Sequence, residues 1–309
     1  MTTPHDEAAV TAFALALPGQ GPRLPGGLPV ARHTPEEAHL LLGRKGLLAK
    51  EPATRLALCA AHLALGLPPG RPASPPPAAE RTAVVVSSHL GNVHSVRRAA
   101  HAVRHGSYRD ISPLSGPNMS ANVIAATIAL RYGLTGPNLT VCSGTTSGLA
   151  ALRLAVLLLR ASRAERVVVV GVEPDDATAR ALRAAHAPAG HGTRHRAQAA
   201  CVIIEPAATR PRTDALLLGR FTRHGSRPPA LPAPDGSSAA RPDSIVPPPP
   251  GPADDADGVV RAAVAAAWLR GCAGSGWVRV TSGDHADGYV SALLRRPGQA
   301  DRRRKADRG

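Results

Sequence analysis

Aromatic residues are almost absent: two Phe, three Tyr and two Trp make up 2% of 309 residues. Apolar residues still account for 43% of the chain, so a substantial core is available, but it has to be assembled from Ala, Leu and Val. The same scarcity removes the rings on which bases stack. It argues against nucleic acid as the partner, although phosphate contacts need only arginine. Cysteine is sparse too. Cys59, Cys142, Cys201 and Cys272 lie far apart with no C-x-x-C pair, which argues against a disulfide framework or a cysteine-ligated zinc. No apolar run is long enough for a membrane span; residues 150–159 form one of the longest and include Arg153. No basic stretch precedes an apolar one at the N-terminus. The expectation is therefore no signal peptide, no membrane association and a cytoplasmic, reduced protein.

Acidic residues are outnumbered, 22 Asp and Glu against 37 Lys and Arg, for a formal net charge of +15. A surplus of that size attracts acidic partners. Nucleic acid, an anionic membrane and an acidic carrier protein all qualify.

Apolar spacing predicts helices over residues 53–66, 119–132, 145–160 and 258–270, and strands over 82–88, 138–142, 166–172, 200–205, 277–282 and 289–295. Strands alternating with helices point to an α/β layered fold. Residues 1–42 carry no clear pattern. Residues 43–224 form the main domain, and 225–257 read as a proline-rich linker. A shorter unit follows over 258–296, then a basic tail over 297–309.

Most chemistry-bearing residue types read as structural. His101 and His105, and likewise His191 and His195, are spaced i, i+4, a spacing that can place two metal ligands on one helix face. No third ligand accompanies either pair, so no metal site is expected. Asp175 and Asp176 read as caps of a helix over 177–185. Ser143 and Ser147 lack a G-x-S-x-G elbow.

One turn stands out. A strand over 138–142 bends through Ser143-Gly144 into a helix that starts near Thr145. A residue at such a turn sits over a helix N-terminus, where N–H groups and the dipole stabilise a thiolate or oxyanion.

The segment leading to this turn carries Asn118-Met119 and then Ile128-Ala129-Leu130-Arg131-Tyr132-Gly133-Leu134-Thr135-Gly136-Pro137-Asn138-Leu139-Thr140-Val141. It resembles the run N-M … I-x-x-R-Y-G-L-x-G-P-N-L-T-V that precedes the nucleophile of the β-ketoacyl-acyl-carrier-protein synthases. Weaker similarities, in the same order, are Gly43-Arg44-Lys45-Gly46-Leu47-Leu48, the strand 84–91, the strand 167–173 and the strand 201–206. The resemblance implies a thiolase-like layered α-β-α fold with its N-terminal half largely present and its C-terminal half shortened.

The chain departs from the family where the chemistry lies. After the strand the family reads A-T-A-C-A-T-G; here Cys142-Ser143-Gly144-Thr145-Thr146-Ser147-Gly148 stands. Thr145 occupies the nucleophile position, and a threonine hydroxyl without a base is a poor nucleophile. Cys142 comes three residues early and reads as a buried strand residue. The H-G-T-G-T and G-H-x-x-x-A motifs that supply the catalytic histidines are absent. His285 is the one candidate left. It belongs either to a final hairpin over 282–291, replacing the phenylalanine of the N-S-F-G-F-G-G-T-N motif, or to a worn H-G-T-G-T strand; the hairpin aligns without a gap.

The resemblance then implies a non-condensing synthase-like subunit of polyketide or fatty-acid-type biosynthesis, similar in role to the chain-length factors. Thr145, Thr146 and Gly148 would be left as acyl- or oxyanion-binding positions. Asn138, Leu139, Thr140 and Val141 would lie at a dimer interface, formed with a second copy or with a full-length synthase. No cofactor is expected beyond an acyl-carrier-protein phosphopantetheine thioester as ligand. Two alternatives stand beside this reading: an acyltransferase that uses Cys142 or Thr145, and an inactive remnant or basic binding protein.

Overall fold

The computed structural model describes residues 7–19, 27–186, 197–209, 215–227, 229, 257–271 and 276–297. Most of the proline-rich stretch, the His191/His195 pair, Cys272 and the basic tail lie outside the described residues.

Valine-rich runs form the two innermost parallel strands, β3 (Thr82–Ser87) and β5 (Arg166–Glu173). Nearly every residue in them is buried on both faces, as a central strand between two helical layers requires. The short β4 (Asn138–Val141) lies parallel to β3 on its outer side. Beyond β5 the sheet turns antiparallel through β6 (Gln198–Pro206), β1 (Ala8–Ala16), β7 (Leu216–His224), β9 (Gly288–Arg295) and β8 (Trp277–Asp284). The order is β4-β3-β5-β6-β1-β7-β9-β8, with the two-residue β2 (Val30–Ala31) beside β1. Bulges in β1, between Val10 and Ala12, and in β7, between Gly219 and Thr222, bend the sheet midway.

Helices cover both faces. The short α1 (Ala38–Leu42) packs on α2 (Pro52–Ala64), which together with α4 (Val123–Tyr132) covers one face, sharing a core with Val84, Val86, Val168, Val170 and Ile203. Pro52 opens α2 at a position where its missing N–H costs nothing. Gly133, at φ 65°, closes α4. The other face holds α5 (Ser147–Arg160) and α7 (Asp257–Gly271), packed on Val85, Val169, Val202 and Ile204. Both helices also touch β8 and β9, so the curved sheet closes around them from two sides. Two further helices lie outside this core, α3 (Val93–His105) and α6 (Ala177–His186).

Residues 1–42 gave no pattern in sequence, yet β1 is a central strand with partners on both edges. Its sequence, AAVTAFALA, is poor in β-branched residues; neighbours on both sides impose the extended form. The helix expected from Thr145 starts at Ser147 instead, because residues 143–146 form a tight turn. Over 277–295 the hairpin is the form observed.

Candidate functional site

The parallel strands β3, β4 and β5 end on one side of the sheet, and the crevice beyond their carboxyl ends is where open α/β sheets bind ligands. Cys142, Thr145, Ser88 and Glu173 lie there. The link from β4 to α5 is a stapled turn. Gly144 takes φ 63°. Ser147 Oγ accepts from the Ser143 N–H at 2.6 Å and donates to Gly144 O at 2.7 Å, while Thr146 Oγ1 donates to Ser143 O at 3.0 Å. Ser147 is fully buried and committed at both ends of its hydroxyl, so it shapes the turn and does not face a substrate.

Thr145 sits at the apex, and the β8–β9 hairpin closes over it. The Thr145 N–H donates to Asp287 Oδ2 at 2.7 Å, and Thr145 Oγ1 donates to the same oxygen at 2.9 Å. From β8, Ser282 Oγ donates to Thr145 O at 2.6 Å. Asp284 sets the hairpin turn by accepting the N–H groups of Ala286 at 2.9 Å and Asp287 at 2.7 Å. The carboxylate lies so close that a Cβ on Gly144 would be 2.1 Å from Asp287 Oδ2. Of the positions left for an acyl oxygen, Thr145 thus has both its N–H and its hydroxyl bonded to the protein's own carboxylate. His285 is an exposed turn residue; the side chain of this hairpin that bonds Thr145 is Asp287, two residues on.

Cys142 is not the buried strand residue expected. It lies just past β4 and is exposed, with its sulfur turned inward to donate to Ser88 O at 2.7 Å. Desolvation raises its pKa, and the negative charge of Glu173 raises it further. Glu173 is buried, accepts the N–H groups of His89 at 2.6 Å and Leu90 at 3.3 Å, and lies 3.6 Å from the Arg183 guanidinium. A raised thiol pKa keeps Cys142 protonated near neutrality, the reverse of a nucleophilic cysteine. Burial also lifts Cys59 to about 12 and Cys201 higher still. Iodoacetamide at about pH 7.5 is expected to label Cys142 several-fold more slowly than a cysteine in a short peptide. Cys59 and Cys201 should stay unlabelled until the protein unfolds. Peptide mass spectrometry checks this, and labelling of Cys142 at the peptide rate would show an activated thiol.

The remaining predicted positions fall elsewhere. Gly148 faces α7: a Cβ there would lie 2.8 Å from Gly258 Cα and from the backbone nitrogens of Gly258 and Val259. Among the described residues β4 pairs with β3 alone. Asn122 pins one of its faces, donating from Nδ2 to Asn138 Oδ1 at 2.6 Å and accepting from Thr140 Oγ1 at 2.7 Å, while Leu139 is 37% exposed. Asp176, as expected, caps α6 by accepting the N–H groups of Thr178 and Ala179 at 2.8 and 2.9 Å. His101 and His105 on exposed α3 meet with their rings tilted at 45° and the centroids 4.6 Å apart. Among the described residues no group of three or more His, Cys, Asp or Glu side chains could hold a metal ion, and no helix is long and apolar enough to cross a membrane. Sequence reasoning missed Asp287. Its signal was a turn sequence, Asp284-His285-Ala286-Asp287-Gly288, between two alternating strands.

Residues 42–200, just over half of the chain, match the family model described as β-ketoacyl synthase, N-terminal domain. The 3-oxoacyl-[acyl-carrier-protein] synthase 2 of Vibrio harveyi is 27% identical over 95 residues, 31% of this chain and 23% of that protein. The Vibrio cholerae protein of the same name matches to the same extent. The match thus spans about a quarter of the length of these curated relatives. Among solved structures, the ishigamide ketosynthase/chain length factor superposes with a TM-score of 0.70 at 19% identity, over 94% of this chain and 99% of the other. A ketosynthase solved with the type II polyketide synthase acyl-carrier protein AntF superposes with a TM-score of 0.63 at 12% identity, over 94% and 99%. At these identities the likeness is one of fold: a mixed sheet between helical layers, of thiolase-like architecture.

Proposed function

Since the chain belongs to the β-ketoacyl synthase family, we propose that it is a non-condensing member, a subunit that pairs with a cysteine-bearing synthase in polyketide or fatty-acid-type biosynthesis. One observation carries the reading: the Asp287 carboxylate sits on both the N–H and the hydroxyl of Thr145, the residue at the nucleophile position. Acyl transfer needs a nucleophile and free donors aimed at the carbonyl oxygen as it turns into an oxyanion. Here the position holds a hydroxyl, the N–H is taken, and a fixed negative charge opposes the one that would develop. The exposed thiol nearby, Cys142, is held in its protonated form. A role that survives these losses is structural: filling one half of a dimer through the open edge of β4, next to an acyl-carrier-protein thioester handled by the other half.

The test is intact-mass spectrometry after incubation with acyl-carrier-protein and acyl-coenzyme A thioesters, with a cysteine-bearing synthase treated in parallel. The expected result is an acylated synthase and an unmodified chain, followed by recovery of the two proteins together in a pull-down. An acyl adduct on Thr145 or Cys142 would make the protein an acyltransferase and end this reading.

A further inference from the structure

Helix α3, thirteen residues from Val93 to His105, has no buried residue. A helix in water draws most of its stability from packing an apolar face; α3 touches α6 and the segment Pro113–Met119, but one apolar stripe stays largely exposed among the described residues. Val96, Ala100 and Val103 follow the i, i+4, i+7 spacing of one stripe, and Val96 and Val103 are 46% and 61% exposed. The helix is fastened by hydrogen bonds at its N-terminal end: Thr54 Oγ1 to Asn92 Oδ1 at 3.2 Å, His94 Nδ1 with Thr178 Oγ1 at 3.1 Å, and Ser95 Oγ to Glu51. The apolar surface continues beyond it. Tyr108 and Leu114 are 70% and 67% exposed, and the 3-10 segment Pro113–Met119 links α3 to α4, which packs on the open strand β4.

Charge says what could cover this face. Arg97 and Arg104, one turn before and one turn after Ala100, lie along one side of the stripe, and both are exposed with no ion pair among the described residues. Arg98 and Arg109 add to the surface. The acid nearest in sequence, Asp110, is spent on the Ser107 N–H at 2.9 Å. A two-fold contact between identical chains sets a patch against itself, which here would bring arginine to arginine or to apolar surface; like charges across an interface cost several-fold in affinity. The apolar centre with a cationic rim has the anatomy of a protein interface. A stripe of Val and Ala lacks the bulky anchors of a membrane-surface helix, and Tyr108 alone offers no stacking track for bases.

Resting on the partner-subunit reading above, we propose that α3 and the adjoining Tyr108–Leu114 surface dock an acidic protein face of a non-identical subunit, and that their charge excludes a second copy of this chain. The test uses the full chain and a charge-reversed copy of it as the acidic counterpart. Sedimentation velocity at about 0.1 M salt, where surface charges still act over about 10 Å, is expected to show little self-association by wild type. It should likewise show little for Arg97→Glu/Arg104→Glu alone. An equimolar mixture should associate at least about ten-fold more tightly than either, and lose this at high salt. Arg153→Glu/Arg160→Glu on α5, an equal change of net charge on exposed positions, should give no such gain.

Wild type that dimerises as tightly as the mixture would overturn the proposal. So would a mixture no more associated than its parts, or an equal gain with the α5 variant. Binding of the wild type, lost on Arg97→Glu/Arg104→Glu, to phosphatidylglycerol vesicles or to duplex DNA in place of that association would assign the face to lipid or nucleic acid and overturn it as well. A synthase that captures wild type and the α3 variant equally well would remove this proposal and leave the partner-subunit reading standing.

Discussion

Gly148→Ala should lower the melting temperature by about 10 °C, the effect of about 3 kcal/mol in a domain of this size. The new methyl would lie 2.8 Å from Gly258 Cα and from two backbone nitrogens of α7. Carbon atoms pack at about 3.5–4.0 Å, and no rotamer change moves a backbone, so the N-termini of α5 and α7 must separate. Leu149, Leu152, Val259, Val260 and Ala263 on these helices are all buried. Overpacking a well-filled core costs about 1–3 kcal/mol, and a backbone contact with no side chain to yield sits at the upper end. Gly258→Ala should act alike, since its methyl would meet Leu149 N at 2.7 Å. The double variant should cost less than the two added, because the helices are already apart after the first change. Gly271→Ala, at the end of α7 with open space around it, is the matched control and should change the melting temperature by less than about 2 °C. Circular dichroism melts measure all four, and a neutral Gly148→Ala would mean that the helices do not cross where the two glycines meet.

Glycine 148 also shows how sequence and structure divide the work. The strands β3 and β5 and the helix α5 were legible because uninterrupted valine, or apolar residues at helical spacing, permit one element each. The turn between β4 and α5 was legible through Ser143-Gly144. β1 was not, because an alanine-rich run acquires its extended form from β6 and β7, which lie about two hundred residues away in sequence. α3 left no trace among the predicted elements, because a helix with no fully buried residue lacks the apolar dominance by which the others were found. At the site, sequence located Thr145 by its distance from Val141, but the hairpin residue it singled out was His285, as the one candidate histidine left. Local pattern cannot tell which residue of a five-residue turn points at a loop more than a hundred positions earlier. The register of β8 against β9, Asp284 opposite Gly288, and the two N–H groups held by Asp284 decide that it is Asp287.

That placement makes the second large effect calculable. Thr145→Cys, which restores the family's nucleophile type, should by itself remain unacylated by acyl-carrier-protein thioesters over a normal assay. The cysteine N–H would still be given to Asp287, and a carboxylate beside a thiol holds it protonated. Thr145→Cys/Asp287→Ala should acylate about 100-fold faster, since one oxyanion donor is worth about 100–1,000-fold in rate and the freed N–H is such a donor at the start of α5. In that step the cysteine sulfur forms a new thioester with the acyl carbon, and the carrier thiol leaves with the proton. No condensation should follow, because the histidine motifs for the extender unit are missing. Asp287→Ala alone should give no adduct, since threonine without a base stays a poor nucleophile. Intact-mass time courses separate the four proteins, with melting curves to confirm that each is folded. Equal acylation of Thr145→Cys with and without Asp287 would show that the carboxylate does not block the site, and the proposed lack of acyl transfer would then rest on the residue at position 145 alone.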